Sequence, residues 1–432
     1  MTEATRLAEA WWTAGWDCGE ERHRAVLLDE EGERRMERWV SNRVDRIEEG
    51  VAEMALALPQ GVKLRLVTES GRSLGGVLCR VAMGLGFQVW QANPKALAHY
   101  REVEGQPRKD DDPDAWLLAR MCMNRVAGCH LLVDPRPEER VLSRLSRLHT
   151  QLQGRRTTAL NRLRALLLEL APEVLSSEWE GPAWAGKGMM AVLSRWSAFD
   201  GLEVVRVSTV EKLLRGATRY GSRCRKMAEA LKEMAGRIAI DAEERGVIKL
   251  ELRLHLEEVV AIEGSLVEVD RQMKDRVMNH PVGQRLVTMP GVGAYTAAAD
   301  VGEVLPLARN TTEPKAATYA GITPLSRNSG KTRGRSRLAR GVNKHALRAN
   351  YLSAVSSLKC SALDKAYFDK QKKAHQGHPK PGVTATLSLA RQRFKVKYKI
   401  MTTDAVYDKE ILIASHLERE KKQRQENEGR AA

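Results

Sequence analysis

The chain has 432 residues, of which 43% are apolar, and its 71 Lys and Arg outweigh 55 Asp and Glu to give a net charge of +16. This length and apolar fraction exclude a disordered or collagen-like polymer and allow two or three domains. No apolar run reaches the ~18 residues of a membrane span, and the first residues do not resemble a signal peptide, so we expect a cytoplasmic protein. The six cysteines form no CxxC pair, which favours reduced thiols.

The first part of the chain, residues 8–135, alternates between short apolar runs and helical patterns. Strands are predicted at VKLRLVTES from Val62 and FQVWQANP from Phe87. Helices are predicted at RVDRIEEGVAEMALAL from Arg43 and SLGGVLCRVAMGLG from Ser73. Strands that alternate with helices are typical of an α/β domain with a mixed or parallel sheet.

The next part, residues 136–280, has apolar residues at heptad spacing and arginines on the other faces. Two long amphipathic helices are predicted, the second at about 226–278, and no structure is assigned to the segment 171–225. Such a pair indicates an antiparallel coiled-coil arm or a dimerisation stalk. The heptad positions are Leu145, Leu148, Leu152, Ala159, Leu163, Leu166 and Leu170, then Leu252, Leu256, Val259, Leu266, Met273 and Val277.

Pro281 ends the second long helix, and residues 281–400 are predicted to form a mostly helical domain that precedes a charged tail at 401–432. This domain contains the sequence PGVG at 290–293, between two apolar helical runs, as in a helix-hairpin-helix turn. The backbone N–H groups of Gly291 and Gly293 are candidates for contact with a phosphate. The other interpretation is a tight turn without a ligand.

The positive charge is concentrated in one window of the sequence. Residues 325–400 contain 19 Lys and Arg and only two acids, Asp364 and Asp369, so this window carries +17 and the rest of the chain about −1. A local excess of this size is self-repulsive unless a polyanion neutralises it. Nucleic acid is the natural partner, because contacts with phosphates release counterions. The alternative is a solvated basic face.

Four carboxylates follow predicted strands or begin a predicted helix. Asp17 ends the first strand, Glu69 ends a later one, and Asp111 and Asp114 lie three apart at the start of a helix. The carboxyl ends of strands converge on one edge of an α/β sheet, where four carboxylates repel one another unless cations neutralise them. Mg²⁺ takes oxygen ligands, and two such ions can clamp a phosphoryl displacement. Alternatively, Asp111 and Asp114 only face a helix macrodipole.

Ser329 precedes Gly330 and a run of cations in the segment that begins YAGITP at Tyr319. A glycine lets a backbone approach closely, and the cations are suited to hold a scissile phosphate. A serine hydroxyl that is activated by a base or a metal can attack phosphorus. The alternative is a flexible basic loop that only grips phosphates. The cations are Lys331, Arg333, Arg335, Arg337 and Arg340.

Together and in this order, these motifs resemble those of one family. It comprises insertion-sequence transposases that join a RuvC-like DEDD domain to a serine-bearing domain, including Piv-type DNA invertases and RNA-guided bridge recombinases. The resemblance covers roughly residues 10–135 and 285–400. The motifs that carry it are Asp17-Cys18-Gly19, Glu69-Ser70-Gly71, Asn93-Pro94, residues 109–115, residues 290–293, residues 319–324 and Ser329-Gly330-Lys331.

The resemblance implies an RNase H-like fold for the first domain, followed by the helical arm and the serine domain. It implies that Mg²⁺ is held by Asp17, Glu69, Asp111 and Asp114 and that Ser329 attacks the DNA to form a covalent phosphoserine. It further implies double-stranded DNA as partner, at the element ends and at the target, and a bridge RNA that selects both. A homodimer or homotetramer is expected, in which the two domains meet between subunits.

Two departures from the family pattern affect the acidic motifs. Glu20 stands where the family often has Lys after the first Asp-x-Gly, which removes a cation beside the carboxylates. Asp110 replaces the usual Thr and Asp112 adds an acid, so the metal-binding Asp residues of this run stay open. The alternative function is a metal-dependent RuvC-type nuclease without a covalent intermediate, and a third hypothesis is a non-catalytic nucleic-acid-binding protein.

Overall fold

The computed structural model describes residues 10–71, 74–105, 111–126, 128–219, 221–238, 240–329, 332–338 and 341–408, with secondary structure only at 111–113, 324–329 and 332–338. The chain divides into two compact units, residues 1–135 and 136–432. Within the described residues, no helix combines the length and apolar character that crossing a membrane requires.

The first unit is built on a six-stranded sheet in the order β3-β2-β1-β4-β5-β6. The strand pairs β1–β4 and β4–β5 are parallel, and the other neighbouring pairs are antiparallel. The predicted mixed α/β sheet is therefore confirmed, and its order is consistent with a RuvC-like fold. The elements are β1 (Trp11–Cys18), β2 (Arg22–Leu28), β3 (Arg34–Ser41), α1 (Val44–Leu56), β4 (Lys63–Thr68), α2 (Gly76–Gly84), β5 (Gln88–Ala92), α3 (Pro94–Val103), α4 (Asp111–Met123) and β6 (Cys129–Leu131).

Helices cover both faces of this sheet because its strands alternate apolar side chains between the two sides. On one face, Trp12 and Trp16 of β1 belong to a core with residues of α1 and α2. On the other face, Val26 and Leu28 of β2 pack with Ala115 of α4. The second face is the one that carries the acidic residues described below.

The second unit begins with two long helices that form the arm. Ion pairs join Arg156 to Glu263 and Arg162 to Glu258, so positions that advance along one helix recede along the other and the two run antiparallel. The predicted antiparallel pair is confirmed, and its use as a dimerisation stalk stays a prediction. The two helices are α5 (Pro137–Leu170) and α9 (Ala242–Met278).

Two details of the arm differ from the prediction. The second helix does not run unbroken from 226, because Asp241 caps a new helix by accepting hydrogen bonds from the backbone N–H groups of Glu243 and Glu244. Leu148 is 41% exposed although it occupies a heptad position, whereas Leu152 and Leu163 are buried. The heptad pattern therefore marks the buried side of the arm but not every residue on it.

The segment without a sequence-based assignment, residues 171–225, folds into two short helices and several 3₁₀ turns, and these pack against one end of the arm together with the helix that begins at Cys224. Their apolar residues share a core with residues 159–170 of α5 and 248–259 of α9. The helices are α6 (Lys187–Arg195), α7 (Val207–Ala217) and α8 (Cys224–Ala235), with 3₁₀ turns at Pro172–Leu175, Ser197–Phe199, Leu202–Val204 and Gly221–Arg223.

The other end of the arm shares its core with the remaining helices of the second unit. Leu142 of α5 and Val277 of α9 belong to one apolar cluster with residues of the segments that follow, so a boundary at 280 stays a prediction. The elements are α10 (Pro281–Val287), α11 (Ala294–Ala299), a π-helical turn (Asp300–Val304), α12 (Leu305–Ala308), α13 (Glu313–Tyr319), β7 (Pro324–Ser329), β8 (Thr332–Leu338), α14 (Lys344–Ser357), α15 (Ala362–Ala374) and α16 (Pro381–Thr402).

Candidate active site

Asp17 and Glu69 occupy adjacent positions at the carboxyl ends of β1 and β4. The parallel register pairs Trp16 with Thr68, so the next position on each strand is the acid, and both acids are half-buried. The pKa of the Cys18 thiol is raised to about 11, chiefly by burial and also by the charges of Asp17 and Glu69, against a hydrogen bond with Thr68 that lowers it. Both carboxylates therefore lie close enough to the Cys18 thiol to influence its pKa, at the same end of the sheet.

Helix α4 lies directly on β1, and a glycine makes this contact possible. A Cβ atom at Gly15 would lie 1.9 Å from the carbonyl oxygen of Ala115 and 2.8 Å from the backbone nitrogen of Ala119. Any larger residue at position 15 would push the helix away from the strand. Gly15 shares a strand face with Asp17, because side chains two residues apart point to the same side of a sheet.

The direction of α4 places its first turn at the acidic end of the sheet. Its last residue, Met123, lies beside the turn that follows β2, since a Cβ atom at Gly32 would lie 3.8 Å from the Met123 Cε. Leu28 at the end of β2 pairs with Thr13 near the start of β1. The helix therefore runs antiparallel to β1, so Asp111, its first residue, lies toward the end of the sheet that carries Asp17. The structure does not describe the side chain of Asp111.

The second acid of α4 has a counter-ion within the protein. Asp114 is 3% exposed, and both Nε and Nη2 of Arg101 in α3 donate to its Oδ1, at 2.9 and 2.6 Å. A buried carboxylate requires such compensation. Arg101 was not predicted as part of the site, because its partner lies thirteen residues further along the chain.

The oxygen donors of this end of the sheet fit a hard divalent cation in part. Asp17 and Glu69 offer adjacent carboxylates, and the first turn of α4 is directed to the same end. Among the described residues, no group of three His, Cys, Asp or Glu side chains is arranged to hold a metal ion. Asp114 instead pairs with Arg101.

Ser329 is the last residue of β7 in an antiparallel hairpin, where it pairs with Thr332 of β8. The mostly helical second unit is confirmed, but the prediction missed these two strands, and the basic segment is not simply a loop. Arg333, Arg335 and Arg337 occupy alternate positions of β8. Gly330, Lys331 and Arg340, also predicted for the site, lie outside the described residues.

The two chain segments that lead into and out of this hairpin are joined at its base. The backbone N–H of Asn343 donates to the carbonyl of Tyr319 at 2.9 Å, and its side-chain Nδ2 donates to the Tyr319 hydroxyl, also at 2.9 Å. The Asn343 Oδ1 accepts from the backbone N–H groups of His345 and Ala346 and so caps α14. One side chain thus connects the hairpin base to the start of the next helix.

A buried carboxylate connects this base to the arm. Glu303, in the π-helical turn, is 3% exposed. Its carboxylate accepts hydrogen bonds from Arg147 Nε and Nη2 at 2.6 and 2.8 Å, from Ser143 Oγ at 2.5 Å and from Asn343 Nδ2 at 2.8 Å. Ser143 and Arg147 belong to α5. Glu303 and its partners carry no motif, and sequence reasoning missed them.

The PGVG turn joins α10 to α11, and internal contacts explain the first of its two glycines. Gly291 has a positive φ of 76°, and a Cβ there would lie 2.5 Å from the backbone nitrogen of Ser357. The backbone N–H of Gly293 donates to the Thr296 hydroxyl at 3.0 Å. Close packing is therefore sufficient reason for glycine at 291, and phosphate contact at this turn stays a prediction.

Part of the positive charge in the 325–400 window is used inside the protein. Lys397 is fully buried and lies 2.8 Å from Asp300, and Arg393 is 5% exposed and pairs with Asp364. These cations are not accessible to nucleic acid. Exposed cations of the same window are Lys344, Arg348, Lys359, Lys365, Lys370, Lys372, Lys373, Lys380, Lys395 and Lys399.

Comparisons with known proteins match both the segment with the acidic residues and the segment with Ser329. The model of the IS110-type DEDD transposase domain, described as "Transposase", matches residues 14–172, and the model described as "Transposase IS116/IS110/IS902 family" matches residues 283–369. The first match contains all four predicted acids and the second contains Ser329.

Similar proteins come from insertion elements of Streptomyces and Mycobacterium. The 43.6 kDa protein of insertion element IS110 from Streptomyces coelicolor is 24% identical over 91% of this chain and 95% of its own length. The 44.8 kDa protein of insertion element IS116 from Streptomyces clavuligerus is 23% identical over 92% of this chain and 96% of its own length. The 42 kDa protein of insertion element IS900 from Mycobacterium paratuberculosis is 29% identical over 35% of this chain and 37% of its own length.

The resemblance inferred from the motifs is therefore confirmed. Its acidic and serine-bearing segments match separate domain models of the same transposases, in the expected order. Transposases with a DEDD domain typically use divalent metal ions and act on DNA. The chain belongs to the IS110/IS116/IS902 family of insertion-sequence transposases, enzymes that cut and join DNA.

Proposed function

We propose that this transposase cuts and rejoins DNA through a serine nucleophile assisted by metal-binding carboxylates. Ser329 is the nucleophile, and Asp17, Glu69, Asp111 and Asp114 are the carboxylates. The observation that carries the proposal is the placement of Asp17 and Glu69 side by side at the strand ends, with the first turn of α4 directed to the same end. The family models matched to both segments support it.

The proposed reaction exchanges one phosphodiester for another. The Ser329 Oγ forms a bond to phosphorus and gives its proton to a base, while the bond from phosphorus to one sugar oxygen breaks and that oxygen takes up a proton to leave as a hydroxyl. A sugar hydroxyl of a second strand then displaces the serine, so no external energy source is required. Mg²⁺ at the carboxylates would polarise the phosphoryl oxygens and stabilise the charge that develops on them.

The nucleic-acid-binding residues of the proposal surround Ser329 and the PGVG turn. Gly330 permits close approach of the DNA backbone, while Gly291 and Gly293 offer backbone N–H groups. The cations neutralise phosphates, which gives affinity without sequence selection. These cations are Lys331, Arg333, Arg335, Arg337 and Arg340.

Two further partners complete the proposal: an RNA that selects the DNA, and additional copies of this chain. We propose that a structured bridge RNA selects the element ends and the target, and that the protein acts as a homodimer or homotetramer. Ten exposed cations among residues 341–400 support a large polyanionic partner.

Peptide mapping of a protein–DNA adduct tests the proposal. The full-length protein is incubated with Mg²⁺, duplex element ends and the transcript of the flanking DNA, then digested with trypsin. Cleavage after Arg327 and Lys331 releases Asn328–Lys331, in which Ser329 is the only hydroxyl residue. A nucleotide on this peptide is the expected result. DNA cleavage without an adduct would instead identify the RuvC-type nuclease.

We expect Asp17→Asn to lower DNA cleavage about 10²–10³-fold, because the variant loses one of two adjacent charged oxygen ligands at the strand ends. The variant should also lose any rise in melting temperature that Mg²⁺ gives the wild-type protein. Glu20→Gln is the matched control, since it removes an exposed acid three residues away. Equal effects of the two variants would show that only the local charge matters.

We expect Arg101→Gln to destabilise the first unit by about 3–5 kcal/mol, because Asp114 would stay buried without a counter-ion. If Asp114 binds the cation, added Mg²⁺ should raise the melting temperature of this variant more than that of the wild type. Differential scanning fluorimetry with and without Mg²⁺ measures both shifts. An equal Mg²⁺ shift in the two proteins would remove Asp114 from the metal site.

A further inference from the structure

The two helices of the arm carry opposite charge. Between Arg140 and Leu168, helix α5 contains seven arginines and no Asp or Glu, whereas α9 contains nine acids and six Lys and Arg. Coiled-coil stability does not require this asymmetry, since alternating charges on both helices serve equally well. The basic character of α5 therefore calls for a further explanation.

Ion pairs across the arm use only some of the cations of α5. Arg156 lies 2.6 Å from Glu263, Arg162 lies 3.8 Å from Glu258, and His149 lies 3.5 Å from Asp270. Arg144 and Arg155 are exposed, and the described part of the chain offers neither of them a carboxylate within ion-pair distance. Their charge faces solvent.

These two arginines lie on one line along the outside of α5. With 3.6 residues per turn, five exposed polar positions fall within about 60° of arc and extend over about 27 Å. Arg, Gln and Thr are residue types that contact phosphate oxygens in protein–DNA complexes. We call this set the arm stripe, and its members are Arg144, Gln151, Arg155, Thr158 and Arg162.

We propose that the arm stripe docks the phosphate backbone of duplex DNA. From the proposed function this inference takes only that the protein binds DNA; it does not depend on the serine mechanism. A straight helix holds its cations in a rigid row, which suits a straight duplex, and about 27 Å corresponds to roughly eight base pairs. The stripe carries no base-reading geometry, so it adds affinity and orientation rather than sequence selection.

A second copy of the arm is the competing occupant. The acidic α9 of one chain could face the stripe of another, as charged residues do between coiled-coil helices. The acids Glu258, Glu263 and Asp270 already pair within the arm, however, which leaves less acidic charge for a second copy. DNA is therefore favoured, and the oligomeric state is measured as part of the test.

The test compares two double variants with the same change in net charge, Arg144→Gln/Arg155→Gln in the stripe and Arg253→Gln/Arg271→Gln on α9. The control arginines are also exposed, but Arg253 lies 3.9 Å from Glu257 and Arg271 lies 2.8 Å from Glu268. Each full-length protein also carries Ser329→Ala and is assayed without Mg²⁺, so binding is measured independently of catalysis.

Binding to a duplex of an element end is titrated from 50 to 200 mM salt. The stripe variant should lose about 0.9 per arginine from the slope of log K against log salt, or about two in total, and the control should keep the original slope. Equal slopes in both variants would overturn the proposal. A stripe variant that only changes the oligomeric state in sedimentation would also overturn it, in favour of contact between arms.

Discussion

Ser329→Ala is expected to abolish both the covalent adduct and the joining of DNA, with a loss of about 10⁶-fold in rate. The magnitude follows because removal of a nucleophile leaves only binding and charge stabilisation, and the loss of a serine nucleophile from a hydrolytic enzyme has a cost of this order. The hydroxyl belongs to the last residue of β7, at the end of a hairpin strand. Alanine retains the backbone register, so the variant should still bind DNA with wild-type affinity.

Neighbouring serines provide the controls for this substitution. Ser326 pairs with Ser336 across the same hairpin, so Ser326→Ala and Ser336→Ala change equivalent strand positions without touching position 329. Both controls should form the adduct. Adduct formation by the Ser329→Ala protein, or its loss in a control, would move the nucleophile to another residue.

Glu303→Ala is expected to destabilise the second unit by about 3–5 kcal/mol and to lower adduct formation further than the loss of stability explains. Removal of this carboxylate leaves Arg147, Ser143 and the Nδ2 of Asn343 without a shared acceptor. An arginine left without its buried partner accounts for the stability change. Asn343 also holds Tyr319 at the hairpin base, so the placement of Ser329 should suffer as well.

Glu139→Ala is a matched control for Glu303→Ala. Glu139 is also fully buried in α5, and Arg309 donates to both of its carboxylate oxygens, at 2.5 and 2.8 Å. Its partners do not include the residues at the hairpin base. Below the melting temperatures of both variants, only Glu303→Ala should reduce the yield of adduct per bound DNA. Equal yields would assign Glu303 a purely structural role.

Local periodicity made much of the fold predictable. The strands around Trp16 and Val67 and the long helices through Leu163 and Leu256 were recognisable because each reflects a repeat of two or 3.6 residues that a single segment carries. Asp17 and Glu69 were identified as neighbours for a related reason. Both end strands of an α/β sheet, and the parallel register aligns such ends.

Local patterns failed where two conformations were compatible with the same residues. The segment from Leu325 to Leu338 is rich in Arg, Ser and Gly, which suits a loop as well as the hairpin that forms. The helix predicted from 226 contains a break, because the side chain of Asp241 caps a new helix in competition with a continuous one. Cross-strand pairing and capping decided these two cases.

Sequence alone determined the three-part plan of this protein: a sheet with acids at its strand ends, an amphipathic arm, and a basic segment around Ser329, in an order that identified the family. Only the tertiary structure paired Asp114 with Arg101 and Glu303 with Arg147. The reason is physical: a buried charge takes its counter-ion from whichever segment packs against it, and Arg147 and Glu303 are separated by 156 positions. No local pattern encodes such a pairing, because it depends on which helices share a core.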